Sequence, residues 1–159
     1  MEKESKKFNL KIVIPAIILI LVLVIIILCM MPKLNKMTKE EMLGIAIDYS
    51  GVDETNHRKT NSFFLDLSDN LAKAEEQVGK VFKVEDCIDN IQKDYCEFDY
   101  TAVKVRLYLA SEDLANLKKD VKICAVGKLT NIQRNKKFMM GFDYEELVFE
   151  IRECYLVEE

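Results

Sequence analysis

The chain is short of the residues that most chemistry needs. Of its 159 residues only one, His57, is a histidine. Its surroundings in sequence are polar, and no Ser–His–Asp order, glycine-rich phosphate loop or paired-carboxylate motif accompanies it. The five cysteines include no C-x-x-C pair, so a zinc site would need an all-cysteine set without its usual close pairs. These absences argue against an enzyme, a metal site or a bound cofactor. Cys87, Cys96, Cys124 and Cys154 read instead as small buried apolar residues, the usual state of an unpaired cysteine.

Charge is absent from one long stretch. Between Ile12 and Met31 there is no Asp, Glu, Lys or Arg, and fifteen of the twenty residues are Ile, Leu or Val. A helix of that length spans about 30 Å, the hydrocarbon thickness of a bilayer. Its apolar residues favour insertion by roughly 4–9 kcal/mol. Pro15 lies in the first turn, where its missing N–H costs little, and Pro32 stops the run. The sequence therefore predicts a single-pass transmembrane helix over residues 12–32, with Ile12, Pro15, Ile20, Ile25 and Met31 among the anchoring residues. A cleaved signal would have a shorter core and a small-residue cleavage site, which Leu28, Cys29, Met30 and Met31 do not supply. A lipoprotein leader would have a small residue before Cys29, where Leu28 stands.

Residues 1–11 form a short charged tail with four lysines and two glutamates. Lys33, Lys36 and Lys39 follow the span. The small excess of positive charge before it predicts a cytoplasmic N-terminus and a domain outside, at the cell membrane. The whole chain is at −4, so everything after residue 11 carries −6. A net acidic domain is repelled by phosphate backbones, which makes nucleic acid the less favoured partner.

Residues 33–68 read as a linker containing one helix. Thr38 and Glu41 have capping-box spacing, and Ser50–Thr60 reads as a polar loop. Residues 69–159 read as one domain. A helix is predicted from Asp69 to Val78, with Gly79 just past its end. Strands follow over Val81–Ile91, Tyr95–Tyr100 and the alternating run from Val103 to Leu109. Ser111 is placed to cap a short helix. Two more strands start near Val121 and Leu147. Five strands with a short helix between the third and fourth, and an α-helix before them, predict an OB-fold-like Greek-key barrel.

Three stretches carry a family resemblance: residues 70–81 (NLAKAEEQVGKV), 117–128 (LKKDVKICAVGK) and 147–157 (LVFEIRECYLV). They resemble the helix-to-strand entry, the turn into the fourth strand and the last strand of the tRNA_anti-like family of OB-fold proteins. Val78 departs from that pattern, which has an aromatic residue there. The resemblance implies an OB-fold similar to anticodon-binding domains and often tethered behind a signal or membrane segment. It brings no catalytic residues.

OB-folds bind ligands on the face of strands two and three and in their loops. The candidate surface is therefore Lys104, Arg106 and Tyr108 on the third strand, with Arg134, Lys136, Lys137 and Phe138 in the loop between strands four and five. Cations and aromatics of this kind suit a single-stranded nucleic acid. The plainer reading is that Glu97 and Asp99, on the neighbouring strand, pair with Lys104 and Arg106. The run Phe138-Met139-Met140-Gly141-Phe142 is apolar beside basic residues, suited to a partner or membrane surface or simply to starting a strand. The sequence favours a non-catalytic, membrane-anchored interaction module for a protein, peptide or glycan. The alternative is a nucleic-acid-binding OB domain.

Overall fold

The structure, a computed structural model, describes residues 19–26, 36–52, 57–139 and 141–158. The chain divides into two compact units, Met1–Lys36 and Met37–Glu159. In the first, residues 19–26 are helical, with their apolar side chains 44–64% exposed. Ile20 and Ile25 belong to this helix, whereas Ile12, Pro15 and Met31 lie outside the described residues. Among the described residues no helix is long and apolar enough to cross a membrane.

The second unit is mainly β. Helix α1 (Lys39–Ile45) starts at the expected capping box: the Thr38 hydroxyl accepts from the Glu41 N–H, and the Glu41 carboxylate accepts from the Thr38 N–H. Strand β1 (Ile47–Tyr49) and helix α2 (Lys59–Ser68) come next, in the segment expected to be a linker. They pack on the domain. Phe64 and Leu67 of α2 are buried in the main core, and Met42 of α1 fills a smaller cluster with Val81 and Val126. Thr60 ties α2 to two strands, its hydroxyl donating to the Tyr49 carbonyl and accepting from the Glu85 N–H. Arg58, at the helix entry, pairs with buried Asp86, which also accepts from the Tyr100 hydroxyl at 2.7 Å. Helix α3 (Leu71–Glu75) is capped by Asn70 and is shorter than the sequence suggests.

Seven strands form one mixed sheet where the sequence pattern suggested five. They are β1, β2 (Val81–Cys87), β3 (Asn90–Ile91), β4 (Cys96–Asp99), β5 (Val103–Leu107), β6 (Lys122–Met139) and β7 (Phe142–Leu156). Their order is β1-β2-β6-β7-β5-β4-β3, and among the described residues no ladder joins the two end strands, so the sheet is not closed into the expected barrel. β1 runs parallel to β2 and β5 parallel to β7; the other pairs are antiparallel. The expected Val81–Ile91 strand is two strands because the chain changes partners between Ile88 and Asp89. The Ile88 N–H donates to the Val121 carbonyl beside β6, while the Asp89 N–H donates to the Glu97 carbonyl of β4.

Helix α4 (Ser111–Asn116) lies between β5 and β6, as expected. Its N-cap is Ala110 without a side-chain bond, so Ser111 opens the helix instead of capping it. Arg134, Lys136, Lys137 and Phe138 are likewise not in a loop. They lie on β6, whose ladder with β7 runs to the Met139–Phe142 pair. The ladder continues because cross-strand partners match, as Lys136 opposite Glu145 does.

Among the described residues Cys87, Cys96, Cys124 and Cys154 form no disulfide. Cys96, Cys124 and Cys154 are buried and Cys87 is half-buried. Burial pushes the Cys96 thiol up to about 12. In a Cys29→Ser chain, a small thiol reagent should modify Cys87 first and the other three only on unfolding. Thiol counting on denatured, unreduced protein should give four; two or none would reveal disulfides.

Candidate interaction surface

Strand alternation builds the site. Val103, Val105 and Leu107 point into the core, so Lys104 and Arg106 stand on the opposite face of β5. Register sets Asp99 and Glu97 opposite them on β4, and Val148 and Glu150 opposite them on β7. Tyr108 follows directly after β5 and is held by its N–H to the Ile151 carbonyl.

The polar groups on this face satisfy one another. Arg106 Nε donates to Glu97 at 2.8 Å. Lys104 Nζ lies 3.0 Å from Asp99, 3.4 Å from Glu97 and 3.6 Å from Glu146. Glu150 accepts from Tyr108, Gln133 and Arg152 at 2.7–3.0 Å. Arg152 lies 4.1 Å from the Tyr108 ring centroid and Arg106 lies 4.8 Å from that of Tyr95. The two rings are 5.4 Å apart. Arg106, Tyr95, Tyr108 and Arg152 thus form a run of alternating cation–π and aromatic contacts.

Titration follows the same contacts. Burial opposes the charge on Lys104, yet the carboxylates of Asp99, Glu97 and Glu146 hold its pKa above the usual lysine value. Burial raises the Tyr108 hydroxyl, and its bond to Glu150 raises it further. Burial alone would raise Glu150, but the Arg152 and Tyr108 hydrogen bonds outweigh it and keep the carboxyl below the ordinary range. A carboxylate with a depressed folded pKa stabilises the fold above its unfolded pKa and loses that contribution as pH falls through the folded value. The stability gap between the parent chain and Glu150→Gln should therefore be constant from pH 7 to about 5 and narrow below that. Thermal melts in that series would check it; a gap unchanged at about pH 3 would contradict it.

The structure brings only part of the expected surface together. Lys104, Arg106 and Tyr108 converge, and Lys137 joins them through Glu146 at 3.7 Å. Arg134, Lys136 and Phe138 lie on the other side of the β6–β7 ribbon, because Arg134 is opposite Leu147, a core residue. Arg134 there pairs with Glu145 at 2.6 Å. A depression of about 500 Å³ opens on the polar face, bordered by Asp99, Lys104, Tyr144 and Glu146. Tyr95, Glu150 and Arg152 are essential to the network, and sequence reasoning did not single them out. The strict alternation of the last strand does place Glu150 and Arg152 on one side.

No family model, curated protein or solved structure matches the chain. Function has to be argued from the surface itself. Among the described residues no group of three or more His, Cys, Asp or Glu is arranged to hold a metal.

Proposed function

We propose that the chain is a membrane-anchored, non-catalytic binding module. A single-pass helix over Ile12–Met31 holds an OB-like β-domain at the cell membrane, with the N-terminus in the cytoplasm and the domain outside. The face carrying Lys104, Arg106, Tyr108 and Arg152 meets a protein, peptide or glycan.

The observation that carries this reading is the network on that face. Glu97, Glu146 and Glu150 are each about 5% exposed and each is paired with a cation. Buried charges fixed by their partners are expensive to rearrange and hold a rigid polar pattern. Such a pattern offers a ligand defined donors and acceptors with little ordering cost. The OB-like reading draws on the chain order of the strands. β2 and β3 lie toward opposite sides of the sheet yet are consecutive in the chain, so Ile88 and Asp89 connect those sides covalently. The helix between β5 and β6 fits the same reading.

The alternative, a single-stranded nucleic-acid binder, requires free cations and open aromatic faces. Here Lys104 already faces three carboxylates, and Tyr108 packs against Arg152 on one side and Tyr95 on another. A photo-cross-linking residue in place of Arg152, in intact cells, should give discrete adducts that the same residue at Val78 does not. Nuclease-sensitive adducts, or retention on single-stranded RNA lost on Lys136→Glu and Lys137→Glu, would favour the alternative. Protection of the domain from protease in intact spheroplasts would contradict the outward topology.

A further inference from the structure

Five residues, 32–36, separate Met31 from Met37. Met37 is already packed into the domain: its carbonyl accepts from the Tyr155 hydroxyl at 2.9 Å, and it borders the cluster of Met42, Val81 and Val126. Even fully extended, the chain from Met31 to Met37 reaches only about 20 Å. A domain tethered so closely meets the bilayer surface at high effective concentration.

The segment next to this tether exposes apolar side chains. Met42 points inward, but Leu43, Ile45 and Ile47 are 37%, 60% and 38% exposed. The stretch 43–47 contains no charge. A helix of a soluble domain ordinarily turns polar residues outward where α1 turns Leu43 and Ile45. Lys33, Lys36 and Lys39 precede the segment against Glu40 and Glu41, a small basic excess that suits an anionic headgroup layer.

We propose that Leu43, Ile45 and Ile47 lie in the interfacial layer of the bilayer that holds the span. This rests on the anchor reading above. The domain then sits on the membrane by its α1–β1 edge instead of moving on a long leash. Among the described residues, Phe138, Met139 and Phe142 form a further exposed apolar group at the end of the β6–β7 ribbon. Thirteen residue steps of β7 separate Phe142 from Tyr155, where the tether attaches, or about 40 Å of strand. On that seating the ribbon end stays in water.

The chain contains no tryptophan, so a single introduced one reports its own surroundings. Full-length Ile45→Trp, Leu43→Trp and Phe138→Trp would be reconstituted in phosphatidylcholine–phosphatidylglycerol vesicles, with and without brominated acyl chains. The first two should emit at shorter wavelength and lose most of their emission in brominated vesicles, while Phe138→Trp keeps its emission. In chains that float with the vesicles, unquenched emission at both Leu43→Trp and Ile45→Trp overturns the proposed contact. Equal quenching of Phe138→Trp overturns the orientation. Chains that do not float overturn the anchor, and this proposal with it.

Discussion

Phe64→Ala should cost the domain about 3–5 kcal/mol, the usual loss for emptying a buried phenylalanine site. Phe64 is fully buried on α2. Its ring centroid lies 4.9 Å from that of Phe149, in the middle of β7, and 5.1 Å from that of Phe63. The loss is a large share of the 5–15 kcal/mol that a domain of this size holds in total. If α2 belonged to a loose linker, the same change would stay within about 0.5 kcal/mol. Urea titration of the full chain in detergent distinguishes these outcomes, and a loss under about 1 kcal/mol would contradict the packing of α2 into the core.

Gly127→Ala is the second change with a large expected effect. Gly127 lies on β6 opposite Phe82, beside an irregularity in the β6–β7 register. A Cβ there would lie 2.7 Å from both Cys154 Sγ and Ile151 Cγ2, and 3.1 Å from the Arg152 carbonyl oxygen. Two of these neighbours belong to buried residues, and the third is backbone. Overpacking of this kind costs about 1–3 kcal/mol. The entropy gained by replacing glycine offsets only about 0.4–1 kcal/mol of it. Gly44→Ala in α1 should act in the opposite direction. Nothing lies within 4 Å of its Cβ position, so it should stabilise by about 0.4–1 kcal/mol. Matched thermal melts would check both signs.

The elements that could be read from sequence are those whose cause is local. The capping box at Thr38 and Glu41 needs only two residues at fixed spacing, and it forms. The alternation from Val103 to Leu107 fixes which side of β5 is buried. It also made the pairing of Glu97 and Asp99 with Arg106 and Lys104 an ordinary expectation, and that pairing is present. Residues whose placement depends on distant partners were not legible. The first turn of α2 holds Thr60, Asn61 and Ser62, poor helix formers, and the helix is held by the stack of Phe63 on Tyr49 at 3.8 Å and by Arg58 on Asp86. The change of partner between Ile88 and Asp89 depends on Val121 and Glu97, distant in sequence, so the apolar pattern of the run did not reveal it. Residues 133–139 resemble a charged loop because most of their side chains are exposed, although they form a regular ladder with β7.

The candidate surface divides along the same line. Lys104, Arg106 and Tyr108 could be found because alternation puts residues 104 and 106 outward, with Tyr108 following directly on them. The carboxylates of Glu146 and Glu150 that neutralise the face come from β7, more than forty residues later. Without them the surface looks like a phosphate-binding patch; with them it is a closed polar network. That difference moves the functional reading away from nucleic acid and toward a partner that recognises fixed polarity.

As proposed above, an anchor within the first 36 residues holds a self-contained domain that begins at Met37. Alkaline carbonate extraction of membranes, applied to the full chain and to a chain of residues 37–159, tests it most directly. The account predicts that the full chain stays in the pellet, whereas the shorter chain stays in the supernatant and melts cooperatively. A full chain released by carbonate, or a shorter chain that does not fold, would contradict it.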